Sequence, residues 1–151
     1  MRFLAILAAI VLLGASPAMA DPARPDDPNE TWLPANFSWD RPTETVVTLL
    51  DNSFEPSALV FDRNKPYRLV LKNVGHTPHD LVDLNFFHAI VLRAVVSSNG
   101  TVFTPHIHSL SVQPGSVVTI TFAAVKPGSF DIFCSIPGHR EDGMEGKVVL
   151  R

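Results

Sequence analysis

Phe130-Asp-Ile-Phe-Cys134-Ser-Ile-Pro-Gly-His139-Arg-Glu-Asp-Gly-Met144 joins a short β-prone run to a loop that carries the single cysteine of the chain. Four residues separate Cys134 from His139, and four separate His139 from Met144. A thiolate, an imidazole and a thioether therefore share one short loop. Soft sulfur with borderline nitrogen is a donor set that suits copper cycling between Cu(I) and Cu(II). One cysteine has no internal disulfide partner, so a structural cross-link does not explain it.

Outward from this loop the chain reads as strand after strand. Val117-Val-Thr-Ile-Thr-Phe122 alternates, with Val118, Ile120 and Phe122 on one face and Thr119 and Thr121 on the other. Tyr67, Leu69 and Leu71 share a face of Tyr67–Lys72, with Arg68 and Lys72 opposite. Thr45–Leu50, Ala58–Phe61, His79–Val82 and Glu145–Leu150 are further β-prone runs, and proline or glycine punctuates the gaps. Many short strands so spaced predict an all-β fold, a Greek-key antiparallel β-sandwich. Residues 85–110 are the exception. Phe86–Val96 fits a strand or a short helix equally well, and the segment is expected to be a partly structured connection. Asn99-Gly100 within it is a hairpin turn signal.

The ends bound the rest. Arg2, the apolar run Phe3–Gly14 and Ala18-Met19-Ala20 read as a secretory signal over residues 1–20, with the mature chain starting at Asp21. The alternative is an uncleaved anchor, but the run is short for a bilayer span. Export to the periplasm or beyond is the expectation, with no stable membrane insertion after cleavage. Residues 21–43 are rich in Pro, Asp and Asn and read as an extended arm, either pinned by Trp32 and Trp39 or disordered. Residues 44–151 form the domain. Removing residues 1–20 leaves 131 residues with eleven basic and fifteen acidic side chains, a formal charge of −4. That balance argues against nucleic acid, which needs a basic stripe. A monomer is expected.

A type 1 copper site takes two imidazoles and a thiolate in a plane, with a long axial thioether. Cys134, His139 and Met144 supply three of these, and the fourth must come from elsewhere in the fold. His79, in Lys72-Asn-Val-Gly-His-Thr-Pro-His79-Asp80-Leu, is the best candidate, because Pro78 precedes it and an apolar strand follows.

The two motifs together, Cys-x-x-Pro-Gly-His-x-x-x-Gly-Met and Lys-Asn-x-Gly-x-x-Pro-His-Asp-Leu, resemble those of cupredoxins. The loop spacing is most similar to that of auracyanins and related small bacterial cupredoxins. The resemblance covers roughly Thr45 to Arg151. It implies an eight-strand Greek-key sandwich, one copper ion, and one-electron transfer between redox protein partners. It also implies His79, Cys134 and His139 as equatorial ligands, Met144 as the axial one, and His139 with Ile136 and Pro137 as the electron exit. Many cupredoxins have Asn after the first histidine; here it is Asp80, an acceptor that when ionised donates nothing.

His76, His88, His106 and His108 stand outside this set. His106 and His108 point the same way on a strand. A polar exposed face is the simpler account of these residues. Convergence of them into a second copper site would favour copper tolerance, sequestration or delivery over electron transport. Catalysis is not expected: there is no nucleophile elbow and no phosphate loop. A multicopper oxidase or nitrite reductase would need more copper centres and at least one further domain.

Overall fold

The computed structural model describes residues 27–151, apart from Phe103 and Pro105. The signal-peptide reading of residues 1–20 and the arm as far as residue 26 lie outside the described residues.

Two sheets face each other. The first has six strands: β1 (Thr43–Leu50), β2 (Ser53–Glu55), β4 (Pro66–Asn73), β6 (Ile90–Ser97), β7 (Gly100–Val102) and β9 (Val117–Ala124). Their order is β2-β1-β4-β9-β6-β7. The second has five, β3 (Ala58–Phe61), β5 (His79–Val82), β8 (Ser109–Val112), β10 (Gly128–Phe133) and β11 (Glu145–Leu150), in the order β3-β11-β10-β5-β8. The expected sandwich is present, and most pairs run antiparallel. Two do not: β1 pairs with β4 in parallel, and β3 with β11. The sheets are therefore mixed. The chain changes sheet between the partners of each parallel pair, an arrangement that local alternation does not encode.

Alternation in the sequence becomes burial. Val118, Ile120 and Phe122 of β9 and Tyr67, Leu69 and Leu71 of β4 face the core. Phe122 lies at the centre of an aromatic cluster, with ring centroids 5.1 Å from Phe61, 5.8 Å from Tyr67 and 6.0 Å from Phe86. The pairs with Phe61 and Phe86 are edge-to-face and add to the apolar burial that holds the sheets together.

The ambiguous segment contains both alternatives. One helical turn, α1 (Leu84–Phe87), is started by Asp83, whose carboxylate accepts from the Phe86 amide at 3.0 Å. Strand β6 follows and turns back through Ser98-Asn99, with Ser97 opposite Gly100. Strands β2 and β8 were not apparent in the sequence. Within the arm, Pro28–Trp32 forms a 3-10 turn. Its anchors are polar: Asn29 Nδ2 donates to the Ile90 carbonyl at 3.1 Å, and buried Asp27 accepts from the Asn29 and Leu92 amides. Trp32 is 61% exposed under Lys126, and Trp39 stacks edge-on with Phe37 beside Arg93.

Candidate metal centre

The quoted loop is the connection between β10 and β11. Phe133 pairs with Glu145 at its base. Inside that pair, the Cys134 amide donates to the Met144 carbonyl at 3.0 Å, and the Met144 amide donates to the His139 carbonyl at 2.8 Å. Gly138 and Gly143 adopt positive φ, 90° and 105°, so the chain can fold back twice within eleven residues. The loop is thereby fixed largely by its own backbone. Cys134 and Met144 point inward and are buried, while His139 is half-buried at the rim.

His79 arrives from the other side, at the start of β5. The loop before it is held by Asn73, the last residue of β4, which is 1% exposed. Asn73 Nδ2 donates to the Thr77 carbonyl at 2.9 Å and to the Val112 carbonyl at 2.8 Å. Its Oδ1 accepts from the Gly75 amide at 2.9 Å. A second tie runs to the β1–β2 turn, where Asp51 accepts from the His76 amide at 2.6 Å and faces His76 Nδ1 at 2.9 Å. Gly75 sits where a side chain has no room: a Cβ there would lie 2.6 Å from Asp51 Oδ1 and 2.8 Å from His79 Nε2.

The two loops meet at the donor atoms. His79 Nδ1 is 3.2 Å from His139 Nδ1, which is 3.5 Å from Cys134 Sγ. All three ligand atoms lie within 4.8 Å of one another. Donors sharing one ion at bond lengths of roughly 2.0–2.3 Å stand about 3.5 Å apart in a trigonal plane, so this set fits a single metal. His79 is wholly buried and its Nε2 has no hydrogen-bond partner among the described residues. The nitrogen that faces the thiol and the second imidazole is Nδ1, which is placed to ligate an ion, while Nε2 points toward Gly75.

The sulfur is supported from Asp80, whose amide donates to Cys134 Sγ at 3.3 Å. The Asp80 carboxylate in turn accepts from the Ser135 hydroxyl at 2.6 Å. The departure noted at position 80 is therefore matched at position 135: a serine donates where the aspartate cannot. Sequence reasoning missed Ser135 and Asn73. Asn73 could have been found as a polar residue ending an apolar strand directly before a glycine.

Of the other histidines, His76 turns away to Asp51. His88, His106 and His108 lie elsewhere and are exposed.

Burial lowers the pKa of His79, and the neighbouring His139 lowers it further. An unfolded histidine titrates near 6.5. Below that value the unfolded metal-free chain binds a proton that the fold excludes, so stability falls as pH drops toward the folded pKa of His79. His76 works the other way. Its hydrogen bond to Asp51 raises its pKa, a contribution present below about 6.5 and lost as pH rises through the folded value. That pair is exposed and weak. Thermal melts of the metal-free protein should therefore show a lower midpoint at pH 5 than at pH 7.5. His79→Gln should flatten part of that slope; an unchanged slope would remove His79 from the account.

A His79-Cys134-His139 donor set at one end of a two-sheet sandwich, with Met144 buried on the same loop, is compatible with one type 1 copper ion. The chain belongs to the cupredoxin-like domain family, which matches residues 4–150. It is 33% identical over 114 residues to the copper-resistant cuproprotein CopI of Rubrivivax gelatinosus, covering 72% of this chain. The matched stretch spans 66% of that relative, just under two thirds of its length. Among solved structures, the reduced auracyanin of Roseiflexus castenholzii superposes with a TM-score of 0.50 at 19% identity, over 72% of this chain and 97% of that one. A multi-copper oxidase from Pseudomonas thermotolerans superposes with 0.61 at 11% identity, over 78% of this chain and 31% of the larger enzyme. At those identities the likeness is one of fold.

Proposed function

We propose that this chain is an exported one-electron carrier built on a single type 1 copper centre. The observation that carries the reading is the asymmetry of the donor set. His79, Cys134 and Met144 are buried, whereas His139 is half-buried at the rim beside Ile136. In this reading His79, Cys134 and His139 would hold the copper, and Met144, buried on the same loop, would add a thioether sulfur. Copper supplies the redox change between Cu(I) and Cu(II). The chain's own residues do the rest. The backbone-locked loop and the Asn73-held loop keep the donors in place in both states. Burial excludes water from the sulfur. His139 gives a path to the surface. Exposed Glu141 and Asp142 flank that rim and favour a redox partner with a basic face. The carrier turns over no substrate of its own.

The test is stopped-flow oxidation of the reduced protein by an outer-sphere oxidant. Transfer should be fast, with copper retained through many cycles. Loss of copper on each cycle would sink the carrier role. The CopI relative supports a second reading, in which the copper itself is handled for tolerance. Transfer of copper to an apo-protein or chelator faster than electron exchange would favour it.

Asp80 sets a further expectation. Its own amide donates to the Cys134 sulfur, and its carboxylate accepts from Ser135, the residue after the cysteine. A unit charge at this range contributes on the order of 1 kcal/mol where water screens it. Asp80→Asn removes that charge and keeps an oxygen for Ser135. The reduction potential should rise by tens of millivolts, on the order of that energy. A redox titration showing no change or a fall would discard a role for the charge.

A further inference from the structure

We propose that His88, His106 and His108 form a second, imidazole-only site for Cu(II), at the end of β5 away from His79. The residues come from two segments far apart in sequence. His88 caps the single turn α1, and the other two lie on the approach to β8. The fold brings them together through the β5–β8 pair. Val82, the last residue of β5, pairs with Ser109, and His108 is the next residue outward. The His88 ring centroid is 6.4 Å from that of His106 and 6.4 Å from that of His108. An ion about 2.0 Å from a ring nitrogen lies roughly 3 Å from the ring centroid, so rings on opposite sides of one ion have centroids about 6 Å apart. That is the upper limit for two rings on one ion, and His88 cannot be opposite both partners at once, so the three donors close on a single ion only after side-chain rotation; exposed side chains change rotamer within nanoseconds.

The backbone of His88 is held from two sides. Its carbonyl accepts from Lys126 Nζ at 3.1 Å and from Asn29 Nδ2 at 3.4 Å. Lys126 also lies 5.6 Å over the Trp32 ring, so its ammonium is committed to the backbone side. On the other segment, Thr104 Oγ1 donates to the His106 carbonyl at 3.0 Å, and the His106 amide points back to the same oxygen at 3.4 Å. Exposed imidazoles have little desolvation to overcome on binding. With no sulfur they select the oxidised ion, and Cu(II) leads the divalent series for nitrogen donors. The two ends of β5 are roughly 10 Å apart, so this site is separate from the Cys134 centre. A second, exchangeable Cu(II) favours the copper-handling reading over a pure electron carrier.

The experiment is titration of the metal-free protein with Cu(II) alone, followed by optical and electron paramagnetic resonance spectra. Wild type should take two equivalents. One should give the thiolate band; the other should give a paramagnetic signal with no intense colour. His88→Asn with His108→Asn should bind only one equivalent and keep the full thiolate band, which also shows that the variant is folded. Cys134→Ser should lose the band and keep the colourless equivalent, so the fates of the two sites are read separately. A wild type that binds one equivalent overturns the proposal. So does a colourless equivalent that survives with less than a tenfold loss of affinity in the double histidine variant.

Discussion

Cys134→Ser abolishes the intense visible band of the copper-loaded protein and weakens copper binding by more than about 100-fold, beyond the roughly 10–100-fold lost when only the outer supports of ligands are removed. The reason is chemical. A serine hydroxyl stays protonated at neutral pH, and its oxygen is a hard donor that suits neither copper state as a thiolate does. The fold should survive. Cys134 is 1% exposed, and its Sγ accepts a hydrogen bond from the Asp80 amide at 3.3 Å. A serine oxygen occupies nearly the same place and accepts the same bond. The residual cost of a buried hydroxyl so satisfied is about 1 kcal/mol. Optical titration measures the first effect and denaturant unfolding of the metal-free protein the second. A variant that keeps the band shows that the sulfur is not a ligand. One that fails to fold shows that Cys134 is needed for packing.

The difference between what the sequence shows and what only the structure shows follows the range of the interactions. Val118, Ile120 and Phe122 alternate with threonines, and that period alone places them inside. The spacing of Cys134, His139 and Met144 is local too, because one loop between paired strands carries all three. His79 needed the motif around it, since it comes from another strand 55 residues earlier. The parallel partners β1 and β4 carry no local mark of direction. Three-residue β2 is too short to show a period, and only Phe54 within it is buried. The arm is held by Asp27 and Asn29, polar residues that composition alone assigns to solvent. The histidine trio is the clearest case. His106-x-His108 is visible in the sequence, but its convergence with His88 depends on the β5–β8 register.

Asn73→Ala is expected to destabilise the metal-free protein by about 3 kcal/mol or more, because three backbone groups lose their partners at once and each such buried group costs about 1–3 kcal/mol. The groups are the Thr77 and Val112 carbonyls and the Gly75 amide. Val112 is 39 residues away in sequence and pairs with His79 itself across β5–β8. Asn73 thus joins the end of β4 to the strand beside the ligand and to the loop that delivers it. Its loss should reach the metal as well as the fold. Binding stabilises a protein in proportion to the logarithm of ligand over dissociation constant, so a displaced His79 shrinks the stability gained on copper loading. Denaturant curves with and without copper, for wild type and variant, separate the two effects. Asn73→Ala with a cost below about 1 kcal/mol would mean that water replaces the side chain and that the loop is held elsewhere. A full cost with an undiminished copper gain would mean that Asn73 supports the sandwich but does not position His79.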